Sequence, residues 1–338
     1  AEMKWMTNDW IDRSSDPRHF VEGCRSVVVV GLTAARQSPP AIDGGVTRGR
    51  VARYAWGRDY HRVFEPRLKK LATAFRGEFG GRTRTAVDYG PLLERSVAAL
   101  AGVGWIGKST MLLVPGLGPW AMLGAVATTV DIEPDEVLRK SCGSCTRCVV
   151  ACPTKALGVS GGEVDSRLCL SYQTIENRGP IPADLREAMA DRVFGCDACL
   201  DSCPVGAGAS ASEPAFAAGD EAAARPPLVE LLLLDGDSFR DKFRGRAIRR
   251  TGRDGLVRNA CVALGNCGLA GELPPLLRAL EDPSALVRSH AAWAVGRMVE
   301  RLGLDPSKAR DSLQAALHAE TDGATRVEMA DALATLPS

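Results

Sequence analysis

The stretch from Cys142 to Pro204 determines much of the architecture of this chain. It begins with Cys142-x2-Cys145-x2-Cys148-x3-Cys152-Pro153, contains a lone Cys169, and ends with Cys196-x2-Cys199-x3-Cys203-Pro204. The opening run has the bacterial-type spacing of cubane iron–sulfur clusters, in which the fourth cysteine binds the neighbouring cluster. The spacing therefore predicts two clusters in this stretch.

A count of ligands supports two interlocking sets. Each set takes cysteines from both motifs, and the second needs the lone cysteine to reach four. The sets are Cys142, Cys145, Cys148 and Cys203 for the first cluster, and Cys152, Cys169, Cys196 and Cys199 for the second. Paired CxxC motifs also bind zinc, but two proline-terminated motifs with matching counts favour clusters. Cys24, Cys261 and Cys267 are left without a predicted function.

The composition is that of a folded protein with two or three domains. The chain has 338 residues, of which 45% are hydrophobic and 25% charged, and its net charge is +1. No apolar run approaches the roughly 20 residues that span a bilayer, and the start lacks the basic and apolar regions of a signal peptide. Oxygen-sensitive clusters and thiols fit a reducing compartment. We expect a cytoplasmic protein without a membrane segment.

The first 135 residues alternate strand and helix patterns, which predicts an α/β or α+β layer. Residues 33–52 are rich in Pro and Gly and indicate a loop. A helix is indicated by Phe64, Leu68, Leu71, Phe75 and Phe79, and a second helix by residues 92–101, with Pro91 in its first turn. Predicted strands cover residues 26–32, which we expect to be buried, 83–87 and 120–130.

A glycine-rich segment in this domain satisfies the Walker A pattern, as Gly102-x4-Gly107-Lys108-Ser109. A phosphate-binding loop needs a strand before it and a helix after it, and the preceding residues here predict a helix. We therefore expect no phosphate-binding loop and keep ATP hydrolysis only as a minor alternative, although the segment could line another polar cofactor. Asp88 follows a predicted strand, where a capping carboxylate is the commonest role.

The chain changes character after residue 206. Residues 207–227 are mostly small and indicate a linker. Residues 240–258 carry eight cations against two aspartates, which favours contact with a polyanion over a solvated face. Leu256–Gly265 is echoed by Leu286–Gly296 and more weakly by Arg326–Leu333, as in an α-solenoid of HEAT repeats. Cys261 lies in the first echo and is expected to pack as a small apolar residue.

Long motifs connect these regions and carry a family resemblance. They are Arg53-Tyr-Ala-Trp-Gly-Arg-Asp-Tyr-His61, Val87-Asp88-x-Gly-Pro-Leu-Leu-Glu-Arg95, Gly104-Trp-Ile-Gly-Lys108, Cys169-x-Ser-Tyr-Gln-Thr-Ile-Glu176, Gly179-Pro-Ile-Pro182, Phe194-Gly-Cys-Asp-x-Cys199 and Phe243-Arg-Gly-x-Ala-Ile-x-Arg-Thr-Gly-Arg253. With these motifs the chain resembles the epoxyqueuosine reductases, which catalyse the last step of queuosine synthesis in tRNA.

The resemblance implies an α+β multidomain protein with three functional parts. We expect a nitroreductase-like α/β domain holding base-off cobalamin over residues 1–135 and a bacterial-type two-cluster ferredoxin-like domain with two 4Fe–4S clusters over 136–206. A linker and basic segment over 207–250 would then lead to a HEAT-like α-solenoid over 251–338 that docks tRNA.

The resemblance also places the proton donor at Asp88. Removing an epoxide oxygen requires two electrons and two protons, and a carboxylic acid held away from water can donate one proton near neutrality. The hypothesis is that the clusters pass single electrons to cobalt, reduced cobalamin engages the epoxide-bearing ring, and Asp88 protonates the oxygen. Candidate cofactor contacts are Arg53, Asp88, Lys108, Thr110 and Leu112.

The implied partners are a tRNA with a queuosine-type wobble nucleotide and a low-potential electron donor such as ferredoxin or flavodoxin. The nucleotide would have to leave the stack to reach cobalt. Candidate phosphate contacts are Arg249, Arg250, Arg253 and Arg258. We expect a monomer.

Two departures from the family pattern and two rival functions bear on these expectations. The last cluster motif ends Cys203-Pro-Val-Gly206 instead of the usual Cys-Pro-Trp-Asn. The family also has an N-terminal segment before a Gly-Glu-Met-x-Trp-Met motif, of which only Ala1-Glu-Met-Lys-Trp-Met6 is present in this sequence. A reductive dehalogenase joins a similar cobalamin domain to similar clusters, but it needs neither a basic segment nor helical repeats. A ferredoxin-type electron carrier or corrinoid activator would leave the first 130 residues without a role.

Overall fold

The computed structural model describes Met3, Lys4 and residues 6–34, 45–209 and 212–337. The chain divides into two compact units. The first contains the described residues within Ala1–Gln37, Trp56–Asp165 and Asp197–Ala217, and the second those within Ser38–Ala55, Ser166–Cys196 and Ala218–Ser338. Part of the predicted loop 33–52 lies outside the described residues.

Helices and strands both occur along the chain. The strands are β1 (Ser26–Thr33), β2 (Arg50–Val51), β3 (Thr83–Ala86), β4 (Trp105–Ile106), β5 (Leu112–Leu113), β6 (Ala121–Thr128) and β7 (Arg192–Phe194). The α-helices are α1 (Asn8–Ser15), α2 (Pro17–Phe20), α3 (Tyr60–Phe79), α4 (Glu94–Leu100), α5 (Arg147–Ala151), α6 (Leu170–Ile175), α7 (Ala183–Arg186), α8 (Ala198–Asp201), α9 (Glu221–Ala224), α10 (Leu228–Leu232), α11 (Gly236–Lys242), α12 (Gly252–Cys267), α13 (Leu273–Arg278), α14 (Ala285–Leu302), α15 (Ser307–Ala319) and α16 (Gly323–Thr335).

The first unit is built on a three-stranded antiparallel sheet in the order β1-β6-β3. The central strand β6 buries Ala125 and Ala127 completely. The predicted strand over residues 26–32 is confirmed as β1, but the prediction that it is buried is wrong. Its residues are mostly half-buried because β1 lies at the edge of the sheet.

Helix α3 packs against this sheet at a glycine. The Asp59 side chain caps the helix by accepting a hydrogen bond from the His61 N–H. A Cβ added to Gly124 of β6 would lie 2.7 Å from Phe64 and 2.9 Å from Leu68, so the glycine permits close approach. The predicted helix is confirmed.

The predicted apolar face of α3 is only partly right. Leu71 and Phe79 are 39% and 57% exposed. The buried face includes Val63 and ends with Ala72, where a small residue meets the sheet. The next helix, α4, begins at Glu94, two residues later than predicted.

Two other findings concern expectations about loops. The Walker-like segment forms a β4–β5 hairpin, in which the Gly107 N–H donates to the carbonyl of Met111 at 2.9 Å. A hairpin does not offer the helix N-terminus of a phosphate-binding loop, in line with the expectation of no such loop. The predicted linker over residues 207–227 contains α9 and the fully buried Phe216, so its described part is packed.

The second unit is mainly helical, and its repeats explain the echoes in the sequence. The three echoes lie in α12, α14 and α16, and each of these helices packs on the next. The glycine that ends each of the first two echoes faces the next helix. A Cβ on Gly265 would lie 2.9 Å from the Cα of Ala294, and one on Gly296 would lie 3.1 Å from the Oγ1 of Thr335. Cys261 is fully buried, as predicted.

Among the described residues, no helix is both long and apolar enough to cross a membrane.

Candidate active site and cluster motifs

Asp88 lies two residues after the end of β3 and is held by a tyrosine. Its φ of 51° is in the left-handed region, which few residues other than glycine adopt. The hydroxyl of Tyr60, the first residue of α3, donates a hydrogen bond to the Asp88 carboxylate. Tyr60 is buried, whereas Asp88 is exposed. In the chain by itself, the side chain of the predicted proton donor is therefore accessible to solvent.

An aromatic stack flanks this pair. The ring of His61 stacks on Tyr60 with centroids 4.1 Å apart and on Tyr89 at 5.9 Å. The Nδ1 of His61 lies 2.8 Å from the Oδ1 of Asp59, which orients the imidazole. The rings of Tyr60, His61 and Tyr89 thus lie on one side of Asp88.

Glu94 is a site residue that the sequence reasoning missed. One of its carboxylate oxygens, Oε1, is buried without a hydrogen-bond partner among the described residues. The pKa of Glu94 is raised to about 7, mainly by burial and also by the negative charge of Asp88, against hydrogen bonds from the N–H groups of Glu94 and Asp88 that lower it. The signal was present in the Asp88-x-Gly-Pro-Leu-Leu-Glu94 motif, which puts a second carboxyl at the start of a helix that follows Asp88.

The other predicted cofactor contacts fall in two places. Lys108, Thr110 and Leu112 belong to the β4–β5 hairpin in the first unit, with Thr110 at a φ of 64° and Leu112 buried. The hairpin packs on α4, and the Arg95 guanidinium donates to the Thr110 carbonyl at 2.9 Å. Arg53 lies in a short 3-10 turn of the second unit.

Two unpaired buried atoms show that the surroundings of Asp88 and the hairpin suit a polar cofactor. Among the described residues, the indole N–H of Trp105 in β4 has no acceptor and the Oε1 of Glu94 in α4 has no donor, although both atoms are buried. Buried polar groups in native proteins normally find a partner. A large cofactor with amide and hydroxyl groups could supply both partners, so the residues present fit the implied group.

The hairpin also reaches the first cluster motif. The backbone N–H of Lys108 donates to the Sγ of Cys142 at 3.4 Å, and its Nζ donates to the Gly143 carbonyl at 2.9 Å. Burial raises the pKa of the Cys148 thiol, and the neighbouring thiols of Cys142 and Cys145 raise it further. Hydrogen bonds to cluster sulfurs are one means by which a protein sets cluster potentials.

The two cysteine motifs have the same local geometry. Helix α5 precedes Cys152 and α8 precedes Cys203, and the two helices pack on each other. Both cysteines leave their helix in an extended conformation, with φ, ψ of −69°, 113° and −76°, 118°. The following prolines favour this conformation. Each motif thus points its last cysteine away from its own helix, as ligand exchange between two clusters requires.

The unusual end of the second motif has a local explanation. A Cβ added to Gly118 would lie 2.4 Å from the Cα of Gly206, and one on Gly206 would lie 3.0 Å from the Trp120 ring. Within the first unit, the turn after Cys203 is therefore packed closely against Gly118 and Trp120 without the usual Trp-Asn pair.

All eleven cysteines are thiols. In the second unit, Cys169 precedes α6 in an extended conformation, with φ, ψ of −69°, 118°, and its side chain makes no capping hydrogen bond. Cys196 follows β7. Among the described residues, no three ligand side chains converge as they would around a single metal ion. A cubane spreads its thiolates over four irons, so its ligands stand farther apart. The assignment of individual ligands stays a prediction.

The predicted phosphate contacts differ in what holds them. Arg249 is exposed and makes no ion pair with a described residue. Arg250 pairs with Glu176. Arg253 is only 15% exposed and binds both carboxylate oxygens of Asp282, as well as the Leu234 carbonyl at 2.7 Å.

Arg258 is buried, which corrects the prediction that it contacts phosphate. It is fully enclosed, and its guanidinium donates to the carbonyls of Gln173, Asn177 and Gly179 at 2.6–2.9 Å. Arg288, at the same position of the next echo, likewise donates to backbone carbonyls. The arginine is part of the helical repeat and is removed from the set of phosphate contacts.

A polar cleft of about 620 Å³ opens at the start of α12, within the second unit. Thr251 provides no side-chain cap, so the first N–H groups of this 16-residue helix face the cleft mouth without a capping oxygen. The positive end of a helix and several guanidinium groups together favour an anion. Arginines line the cleft at positions Arg178, Arg249, Arg250 and Arg253.

Arg178 was not among the predicted contacts. It donates to the carbonyls of Arg250 at 2.6 Å and Thr251 at 2.7 Å, and thereby holds the turn that presents Arg249 and Arg250. Its position next to the Gly179-Pro-Ile-Pro182 motif was the only signal in the sequence.

Comparisons with known proteins agree with this architecture. Residues 14–89 match the family model described as epoxyqueuosine reductase QueG, residues 141–206 a 4Fe-4S double cluster binding domain, and residues 242–334 HEAT repeats. These matches confirm the predicted iron–sulfur clusters and helical repeats.

Relatives and solved structures share most of the chain. The epoxyqueuosine reductase of Xanthomonas campestris pv. campestris is 38% identical over 301 residues, covering 87% of this chain and 84% of the relative. An epoxyqueuosine reductase crystallised with a tRNA-Tyr epoxyqueuosine-modified stem loop is 31% identical with a TM-score of 0.89, covering 96% of this chain and 85% of that one.

A third comparison is the Bacillus subtilis epoxyqueuosine reductase with its catalytic aspartate loop swung out of the active site. It is 30% identical with a TM-score of 0.88, covering 97% of this chain and 86% of that one. Identity at this level over nearly the whole length goes together with the same fold. The chain therefore belongs to the epoxyqueuosine reductase family.

Proposed function

We propose that this protein reduces epoxyqueuosine to queuosine at the wobble position of tRNA. One observation carries the proposal beyond family membership. Asp88 is held by Tyr60 and adjoins the half-buried Glu94, and α4 packs on the hairpin whose Lys108 N–H binds Cys142. A proton donor, a cofactor loop and a cluster ligand are thus connected within one unit.

Asp88 is the proposed proton donor to the departing oxygen. Its exposed carboxyl can meet a substrate, and the Tyr60 hydroxyl fixes its orientation. Positioned general acids typically contribute about a hundredfold to ten-thousandfold in rate. The aspartate loop called catalytic in the Bacillus subtilis relative supports an aspartate in this role.

Glu94 is proposed to hold the second proton. With a pKa raised to about 7, it is partly protonated at neutral pH, and it adjoins Asp88 through the Asp88 N–H. Because reduction of the epoxide consumes two protons, a second carboxyl beside the first can restore the proton that Asp88 gives up.

Cobalamin and two 4Fe–4S clusters are the proposed cofactors. The chemistry that they supply when bound is reduction at carbon by cobalt and delivery of single electrons by the clusters. The hairpin residues Lys108 to Leu112 would contact cobalamin, and the orphaned Trp105 N–H would find an acceptor there. The eight cysteines of the two predicted ligand sets would hold the clusters.

The cleft at the start of α12 is the proposed tRNA phosphate site. Arg249 is accessible and unpaired among the described residues, and the exposed Arg250 can exchange its half-buried partner Glu176 for a phosphate. Arg253 also lines the cleft, while its guanidinium is ion-paired with Asp282. The stem-loop complex of the solved relative supports RNA as the partner.

A product assay tests the function and separates it from its rivals. The reconstituted protein receives cobalamin, a chemical reductant and a stem loop bearing epoxyqueuosine, and the nucleosides are analysed by mass spectrometry. Conversion to queuosine is expected. Dehalogenation of a haloorganic substrate without queuosine formation would favour the dehalogenase, and neither reaction would favour an electron carrier.

Other properties stay predictions that follow from this chemistry. A reducing cytoplasm would protect the clusters, and one chain would act as a monomer with an external low-potential donor.

A further inference from the structure

The cysteine segment carries an unusual surface that the proposed function leaves unexplained. Val159 is 92% and Val150 81% exposed, the highest values among the large apolar side chains in the described part of the chain. Both lie within residues 137–162, which contain four cations and no acidic residue. Glu136 and Glu163 stand at the two ends of this segment, so the cations are concentrated between them. Exposed apolar side chains in a segment rich in cations are typical of a protein interaction surface.

The cations of this segment are exposed, and one of them, Lys140, lies 6.0 Å from the centre of the Trp105 ring. Arg139, Lys140, Arg147 and Lys155 are exposed, and none forms an ion pair with another residue that the structure describes. Arg147 and Val150 stand three residues apart on α5, so they share one face of that helix. Lys155 follows in a turn whose N–H donates to the carbonyl of Cys152 at 3.2 Å.

This face is next to the predicted ligands of both clusters. Val150 lies between Cys148, assigned to the first cluster, and Cys152, assigned to the second. The Val159 turn is tied to the first motif, because the Gly162 N–H donates to the carbonyl of Lys108, whose own N–H binds Cys142.

Two classes of acidic partner could meet a basic surface, and one fits better. RNA-binding surfaces usually stack bases on aromatic rings, and residues 137–162 contain no aromatic residue and no histidine. Two projecting valines instead suit contact with a protein. A two-electron reduction also requires electrons from outside the chain, and these must enter near a cluster.

We propose that Arg147, Val150 and Lys155 form the docking site for an acidic one-electron carrier protein of the flavodoxin or ferredoxin class. This inference rests on the proposed function, because it assumes that the clusters must be reduced again by an external electron donor during turnover. Each docking event moves one electron from the reduced carrier, which is oxidised by one electron, into the cluster segment. Two events balance the reduction of one epoxide.

The test compares a protein reductant with a chemical one. Reduced flavodoxin is mixed with the cluster-reconstituted protein, and its oxidation is followed by flavin absorbance at low and moderate salt. The variant R147E/K155D reverses two charges, with aspartate chosen because it tolerates the positive φ of Lys155. The matched control K69E/K70E makes the same change in net charge on exposed residues of α3.

We expect R147E/K155D to slow electron transfer from flavodoxin at least tenfold at low salt and to remove most of its salt dependence. V150S should slow it severalfold. Cluster reduction by dithionite, dithionite-driven queuosine formation and stem-loop affinity should match the wild type, and K69E/K70E should be unaffected throughout.

Three outcomes would overturn the docking site. They are an unchanged flavodoxin rate, an equal loss with dithionite, and a loss of stem-loop affinity, which would assign the face to RNA. Failure of dithionite-driven queuosine formation in the wild type would instead contradict the proposed function.

Discussion

The hydroxyl of Tyr60 donates a hydrogen bond to the carboxylate of Asp88, across 28 residues of sequence and from a buried ring to an exposed acid. Asp88 has a backbone conformation that L-residues rarely adopt, at a φ of 51°. Non-glycine residues in this region cost about 1–3 kcal/mol and persist where the surroundings hold them. Tyr60 is one of the groups that hold this acid in place.

Replacing Tyr60 with Phe should therefore reduce turnover while leaving RNA binding intact. Loss of a hydrogen bond to a charged group typically costs about 1.5–3 kcal/mol, which corresponds to roughly a tenfold to hundredfold loss in kcat. Steady-state kinetics on the epoxyqueuosine stem loop measure the change. Tyr89→Phe is the control, because its hydroxyl makes only a 3.4 Å contact with Glu65. An equal effect of both substitutions would argue against a specific role for Tyr60.

Glu94→Gln should change the pH profile of turnover. The pKa of Glu94 is raised to about 7, so the wild-type carboxyl holds a proton below neutrality and loses it above. Wild-type turnover should then fall as the pH rises through about 7. The variant should be slower and should lack this limb, because glutamine cannot release a proton.

The same substitution has a consequence for stability. A carboxyl whose pKa is raised on folding binds its proton more tightly in the folded state. The free energy of unfolding therefore falls as the pH rises from 4.5, the pKa of the carboxyl in the unfolded chain, to about 7, its pKa in the folded protein. Glu94→Gln should remove this loss, and chemical unfolding at pH 5 and pH 8 measures it. A variant with the wild-type pH dependence in both assays would contradict the assignment.

Arg258→Ala should destabilise the second unit. Its guanidinium supplies hydrogen bonds to three backbone carbonyls in a fully buried place, and each carbonyl would lose its donor. Buried unmet acceptors cost about 1–3 kcal/mol each, so we expect a loss of about 2–5 kcal/mol after relaxation. Denaturant unfolding followed by circular dichroism measures it. Arg249→Ala, on the surface, should remain within about 0.5 kcal/mol of the wild type.

Arg249→Glu should weaken binding of the stem loop without affecting stability. A phosphate contact contributes to affinity through counterion release, so the variant should bind roughly tenfold more weakly at low salt and show a shallower salt dependence. Fluorescence anisotropy across a salt series gives both numbers. Lys308→Glu, an exposed cation at the start of α15, is the control. If the Arg249→Glu and Lys308→Glu variants bind the stem loop equally well, Arg249 does not contact phosphate and the cleft is only exposed to solvent.

Strong local patterns made most of the fold predictable. The cysteine spacing indicated two clusters, and the repeated Leu-Val-Arg segments indicated stacked helices, because each pattern follows from a geometric requirement. The burial of β1 was predicted wrongly, since four consecutive valines suit either an edge or a central strand until the strand order is known.

Charge was the less reliable guide to the site. Arg249 and Arg258 are equivalent in a count of cations, yet one is exposed and the other fully buried. The sequence repeat could have separated the two arginines. Arg258 occupies the same position of its repeat as Arg288, whose side chain also donates to backbone carbonyls. Glu94 escaped notice because its burial depends on tertiary packing of α4 against the hairpin.

Asp88→Asn provides the most direct test of the central claim, that Asp88 is the acid of a cobalamin- and cluster-dependent epoxide reduction. The variant is reconstituted with clusters and cobalamin, and its iron and cobalamin contents are determined. The queuosine formed from an epoxyqueuosine stem loop is then quantified by mass spectrometry. We predict wild-type cofactor content and stem-loop affinity with turnover reduced at least a hundredfold. Full turnover in a variant with normal cofactor content would contradict the account.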